Sequence, residues 1–134
     1  MAREDVEVVL DQFAAVNERN FERAMSLYAE DVELVVDPRA FLEGGTFKGR
    51  DAVGEWFGNW FRTFEPGYRF DIEEARDLGD AILLVASHQG RGRTSGAEVK
   101  GQTSYVYRVR DGRIVRAEIH ASRDDALGAS GRRE

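Results

Sequence analysis

Two histidines, one Asp-Pro pair and four tyrosines are the groups in this chain best suited to hold or move a proton. Asp37 ends the run Val32-Glu33-Leu34-Val35-Val36 and precedes Pro38. Proline drives the residue before it towards extended geometry, so Asp37 is expected at a strand exit. Beside an apolar cavity a carboxylate loses solvation, its pKa rises and it becomes a better general base. The alternative is a turn aspartate bonded to its own loop, which the parity of Asp37 with Glu33 and Val35 favours. His88 shares parity with Ile82, Leu84 and Ala86. If that face is the inner one, its imidazole points into a cavity mouth and titrates near neutrality; the alternative is a strand-end histidine in water beside Gln89. His120 alternates with Val115, Ala117, Ile119 and Ala121, an apolar set expected to face the core. Unless a bulge intervenes, it then lies on the outer face with Arg116 and Glu118. Tyr28, Tyr105 and Tyr107 offer phenolic donors, either to a ligand carbonyl or to local backbone groups.

Other chemistries are excluded by residue type or spacing. The chain has no cysteine, hence no disulfide, thiolate metal site or cysteine nucleophile. Its two histidines stand far apart, so no HxH or HExxH metal spacing exists and no metal is expected. There is no GxSxG elbow. Gly90-Arg91-Gly92 with Gly96 misses the dinucleotide fingerprint and reads as a hairpin loop, so no cofactor is expected. Arg91, Arg93 and Lys100 could draw an anionic ligand to that rim, or form a solvated loop. A net charge of −6 over 134 residues argues against a nucleic-acid partner, which needs a basic face. No apolar stretch approaches the ~18 residues of a membrane span, and no signal peptide is evident, so a cytoplasmic location is expected.

The elements that would position these groups follow from periodicity. A first helix is expected over about Glu4 to Asn17, with Val6, Val9, Leu10 and Phe13 on one side. Asn20 is a plausible N-cap for a second helix that buries Phe21, Ala24, Met25 and Tyr28. After a loop from Arg39 to Lys48, a third helix runs from about Gly49 to Pro66-Gly67. Its apolar residues, Val53, Trp56, Phe57, Trp60, Phe61 and Phe64, follow the i, i+3, i+4, i+7 rhythm of one face. So much ring surface facing a curved sheet implies a wide apolar interior, with Phe13, Phe41, Trp56 and Trp60 as its walls. Four further strands follow: about Tyr68 to Glu73, Ile82 to Ala86, Val99 to Arg110, and Arg113 to Ser122. Asp111-Gly112 signals a tight hairpin between the last two. One domain of residues 1–134 is expected, with its core over about 4–127 and a frayed tail over 128–134.

Ile82-Leu83-Leu84-Val85-Ala86 is apolar on both of its faces, and helices can cover only one. The other, carrying Leu83, Val85 and Val106, needs a second cover. A second copy of the chain is the simplest one, so a homodimer through the outer sheet face is expected.

The order helix, helix, strand, aromatic helix, strand meander resembles the nuclear-transport-factor-2-like superfamily, most closely its SnoaL-like and ketosteroid-isomerase-like branch. The residues that carry the resemblance include Asn20-Phe21-Glu22-Arg23-Ala24, Tyr28-Ala29-Glu30-Asp31-Val32, Phe47-Lys48-Gly49-Arg50-Asp51-Ala52-Val53 and Arg110-Asp111-Gly112-Arg113-Ile114-Val115. With the closing Ser122-Arg123-Asp124-Asp125-Ala126-Leu127 they span about Val6 to Leu127. The resemblance implies an α+β, cone-shaped roll in which three N-terminal helices pack on a curved antiparallel sheet. It also likens Asp37-Pro38 to the catalytic Asp-Pro of ketosteroid isomerase. Two departures count against steroid isomerisation: the oxyanion tyrosine's place falls at Phe13, and that of the protonated aspartate at Tyr105. The expected function is that of a cofactor-independent enzyme acting on a small apolar carbonyl compound or epoxide by general acid/base proton transfer through Asp37 or His88. The alternative is a non-catalytic small-molecule-binding module, or a dimeric interaction protein, of the same fold.

Overall fold

The computed structural model describes residues 2–40 and 44–129. Its elements are α1 (Ala2–Asn17), α2 (Phe21–Ser26), β1 (Tyr28–Val36), β2 (Gly45–Lys48), α3 (Arg50–Arg62), β3 (Arg69–Asp77), β4 (Ile82–Arg91), β5 (Glu98–Arg110), β6 (Arg113–His120) and α4 (Arg123–Ala129). The helical N-terminal region packs on a curved, unclosed six-stranded sheet of order β2-β1-β6-β5-β4-β3. The chain is thus the α+β roll expected, with two corrections. β2 lies inside the segment expected as loop, and the β1–β6 pair is parallel while the other pairs are antiparallel.

Local chemistry accounts for the boundaries. Asn20 caps α2, its Oδ1 accepting the Arg23 N–H at 3.2 Å, which satisfies one of the donors a helix start leaves open. Asp111 and Gly112 adopt φ of 54° and 78°, the paired positive values a two-residue hairpin turn demands. Val53 and Trp56 of α3 are buried, and Phe57, Trp60 and Phe61 pack against the core from the same helix. Gly90 is required by close approach: a Cβ there would stand 2.7 Å from the Tyr68 ring and 2.9 Å from its Cα.

β6 carries a bulge. Val109 pairs with Ile114 but Arg108 pairs with Arg116, leaving Val115 as the extra residue. Ile114 and Ala117 consequently both reach the core. The inner set expected on this strand is corrected accordingly: Ala117 and Ile119 hold their places, Ile114 replaces Val115, and Ala121 is exposed. His120 stays on the outer face, as expected.

The outer face of β4 and β5 is also corrected. Leu83, Val85 and Val106 form a second small core with Ala81, Ala126 and Leu127, and Leu83 is fully buried within the single chain. The last two residues belong to α4, which folds back over the sheet. No second copy is needed to bury this patch. The cover expected from a homodimer is supplied by the chain's own C-terminal helix.

Candidate functional site

The first three helices do not close on one another. Between α1, α2, α3 and the segment 64–66 lies a cleft of about 440 Å³, within the size range of small-molecule sites. Val16, Phe21, Met25, Phe57, Phe61 and Pro66 give it apolar walls. On the α3 side Gly54 and Gly58, four residues apart and hence on one helical face, also border it. Glycine inside a helix costs roughly 0.5–1 kcal/mol relative to alanine, and here the missing side chains widen the opening. That spacing is the one sequence signal that could have located the cleft.

Deeper in, Gln12, Val16, Phe57 and Phe61 also border a slot of about 20 Å³ lined by Phe13, Trp56, Trp60, Tyr105 and Tyr107. The wide interior expected from the aromatic helix is therefore corrected. The rings fill it, with Phe13 edge-on to Phe70, Tyr105 and Tyr107 at 5.3–6.2 Å and Trp56 stacked against Trp60. Of the expected walls and phenolic donors, Phe41 lies outside the described residues. Tyr28 borders the outer cleft, and Phe13, Trp56, Trp60, Tyr105 and Tyr107 line the slot.

The polar groups at the inner end are phenols and the Gln12 amide. Tyr107 donates a long hydrogen bond of 3.5 Å to Gln12 Oε1. The Tyr28 hydroxyl is buried and has no hydrogen-bond partner. Burial holds all three phenols, Tyr28, Tyr105 and Tyr107, above the ordinary tyrosine pKa, and for Tyr105 and Tyr107 the neighbouring phenols add to the shift. At neutral pH they are O–H donors. A buried donor left without an acceptor costs about 1–3 kcal/mol, and among the described residues the Tyr28 hydroxyl is such a group.

Three arginines are among the residues that line the cleft: Arg19, Arg62 and Arg93. Arg19 is the left-handed residue that ends α1, with φ 64°, a conformation that costs a non-glycine residue roughly 1–2 kcal/mol. Its guanidinium donates to the Val16 carbonyl at 3.0 Å and to the Tyr68 carbonyl, and lies 5.6 Å over the Phe61 ring. Arg93 donates to the carbonyls of Arg62 and Phe64 at 3.2 and 3.0 Å, and Arg62 donates to Asn59. Of the basic rim expected on the hairpin loop only Arg93 reaches the cleft. Arg91 instead bonds Gly96 at 3.2 Å and Lys100 is exposed. Arg19 and Arg62 carry no signal in the sequence, where an arginine beside a helix end reads as a solvated charge.

Asp37 and His88 neither meet nor line the cleft or the slot. The Asp37 carboxylate accepts from the Arg39 backbone N–H at 2.9 Å and from its guanidinium at 2.7–3.2 Å. Arg39 in turn reaches Asp125 at 3.0 Å. The pKa rise expected of a base in a dry cavity is corrected: hydrogen bonds from Arg39 hold Asp37 below the ordinary carboxylate value. Nearby on the outer face, Glu118 accepts from Arg116 at 2.9 Å and contacts His120 Nε2 at 3.0 Å.

His88 does take the inner parity. Trp60 Nε1–H donates to the Tyr68 hydroxyl at 3.0 Å, and Tyr68 Oη lies 3.1 Å from His88 Nδ1. With its oxygen occupied by the indole N–H, the phenol can donate to Nδ1, which places the imidazole proton on Nε2. Burial lowers the His88 pKa. The unfolded chain therefore takes up this proton at higher pH than the folded one, and stability falls as pH drops from about 7 through the folded pKa. Melts between about pH 7 and pH 5 should show this decline, and His88→Gln should flatten it. Glu118, also depressed, acts in a separate window, below its own unfolded value. An unchanged slope in the variant would assign the decline to other groups.

Helices packed on a curved open sheet, with an apolar cleft between them, give the chain a nuclear-transport-factor-2-like fold. Residues 9–117 match the SnoaL-like domain, and the chain belongs to that family. No curated protein matches it in sequence. In structure it is similar to TerC crystallised with polyporic acid, at TM-score 0.76 and 21% identity over 89% of this chain and 92% of that one. It is also similar to a ketosteroid isomerase-like fold protein from Catenulispora acidiphila in complex with trimethylamine, at 0.74 and 23% over 95% and 94%. An NTF2-like protein from Burkholderia thailandensis aligns at 0.78 and 22% over 96% and 98%.

Proposed function

We propose that this protein binds a small, largely apolar molecule in the cleft between α1, α2 and α3, with the Tyr28 hydroxyl donating to a carbonyl or ether oxygen of the ligand. The apolar cleft bordered by Tyr28, whose buried hydroxyl has no partner among the described residues, carries this reading. Two similar structures hold small ligands of their own, which supports the use of this scaffold for binding. Planar aromatic ketones such as fluorenone and anthraquinone are suitable probes, because Trp56 and Trp60 border the adjoining slot and report by fluorescence. Tyr28→Phe should weaken their binding roughly three- to tenfold, the worth of one neutral hydrogen bond. The free protein should keep its stability or gain about 1 kcal/mol, since an unsatisfied hydroxyl is removed. Unchanged affinity in the variant would remove Tyr28 from the site.

A second reading, cofactor-independent acid/base conversion of a carbonyl compound or epoxide, is favoured by the Trp60–Tyr68–His88 chain of hydrogen bonds. His88 would be the proton acceptor and Tyr68, stacked on the cleft residue Phe64 at 4.2 Å, the link towards the ligand. The Arg39 ion pair leaves Asp37 less suited to the same role. Turnover of a bound probe that is lost in His88→Gln, with its affinity kept, distinguishes conversion from binding alone.

A further inference from the structure

We infer that the ligand of this cleft is an amphipathic organic acid: a flat apolar body within the cleft, an oxygen acceptor at Tyr28, and a carboxylate or similar anion at the mouth held by Arg19, Arg62 and Arg93. This rests on the binding reading above and adds the charge of the ligand to it. Three observations carry it. All three arginines line one largely apolar cleft, with Glu65 as the only carboxylate among its described lining residues. Among the described residues none of the three is ion-paired: Arg19 and Arg93 give their hydrogen bonds to backbone carbonyls and Arg62 to an amide oxygen. In the same chain, among the described residues, Arg39, Arg69, Arg116 and Arg123 all bond carboxylates. Acidic groups are plentiful in a protein of net charge −6, yet Glu65 is the one carboxylate among the described residues lining this cleft.

Arg19 makes the strongest case of the three. Left-handed helix ends favour glycine, which has no Cβ to clash. An arginine there is a strained choice, and its consequence is a guanidinium anchored by two carbonyls and laid over Phe61 at the cleft. A neutral ligand would gain little from such an arrangement. An anion gains charge-assisted hydrogen bonds from planar donors already fixed in place. Long-range repulsion from the acidic surface is screened at physiological salt, while contacts at the mouth persist.

The test compares matched acids and methyl esters on the full chain: 2-naphthoate, fluorenone-2-carboxylate and anthraquinone-2-carboxylate, each beside its methyl ester. Tryptophan quenching and calorimetry give the affinities. Each acid should bind at least about tenfold more tightly than its ester. Raising salt from 50 to 500 mM should weaken the acids and leave the esters unmoved. Arg62→Gln combined with Arg93→Gln should erase most of the preference, while the corresponding lysine pair should retain a substantial part of it. The lysine pair also separates charge from any packing damage, and a thermal melt of each variant confirms folding. Equal binding of acids and esters would overturn the acid inference and leave the apolar-ligand reading standing. Failure of every acid and every ester to bind the wild type would remove both. A preference that persists in the folded glutamine pair would show that these arginines do not carry it.

Discussion

Replacing Leu83 by Asp is expected to remove a large part of the domain's stability. Leu83 is fully buried between the outer sheet face and α4, among Val85, Val106, Ala126 and Leu127. The apolar side chains of that small core offer a carboxylate no hydrogen-bond donor, and the cation nearest in register, Arg76 across the β3–β4 pair, is exposed. The loss of leucine packing and the burial of an unpaired charge together should cost roughly 4 kcal/mol or more, against a total stability of about 5–15 kcal/mol for a domain. Urea melts with matched sedimentation are the measurement. Deleting residues 123–129 should expose the same patch and promote association, since that helix is its cover. If Leu83→Asp instead melts like the wild type and only its oligomeric state changes, the patch is an interface between copies, and α4 lifts away from it in solution.

Trp56→Ala should cost about 3–5 kcal/mol, the usual penalty for truncating a buried tryptophan. Trp56 is only 4% exposed and sits at the centre of an aromatic run, with ring centroids 5.2 Å from Phe57, 6.2 Å from Trp60 and 6.3 Å from Phe47. Trp60 is half-buried and borders the slot, so its alanine variant should lose less stability and show more loss of probe binding. Equal destabilisation by both would mean that the slot is core alone and plays no part in the site.

The contrast between these two tryptophans illustrates what was legible. Spacing alone placed both on one helical face, because periodicity reports which side of a helix is buried. It does not report how completely the rings interlock, so a filled slot and an open interior look alike in sequence. α4 was legible only as a possible turn: Arg123–Ala129 is seven residues long, too short to show a stripe. Its role as a cover depends on how the chain returns across β4 and β5. β2 was hidden for a similar reason, having four residues beside glycine-rich loop sequence. Asp37 was legible in both of its meanings, since Asp-Pro-Arg is also a turn in which the side chain bonds two residues on. The bond to Arg39 is that turn. Tyr28 was recognisable as a phenolic donor, but that it lacks an acceptor is a property of the packed structure.

The sheet order has a consequence for how the protein is made. β1 lies between β2 and β6, and Val36 pairs with Ile119. The apolar face of β1, with Val32, Leu34 and Val36, therefore leaves the ribosome long before the strand beside it exists. At about 5–20 residues per second, synthesis of the intervening chain takes several seconds. During that time β2, α2 and α3 can shelter one side of β1, but the edge awaiting β6 stays unpaired. Strand edges of this kind are templates for wrong partners. The domain cannot fold vectorially from its N-terminus: closure of the sheet waits for the last strand, and the half-made chain is the species most exposed to chaperones and to aggregation.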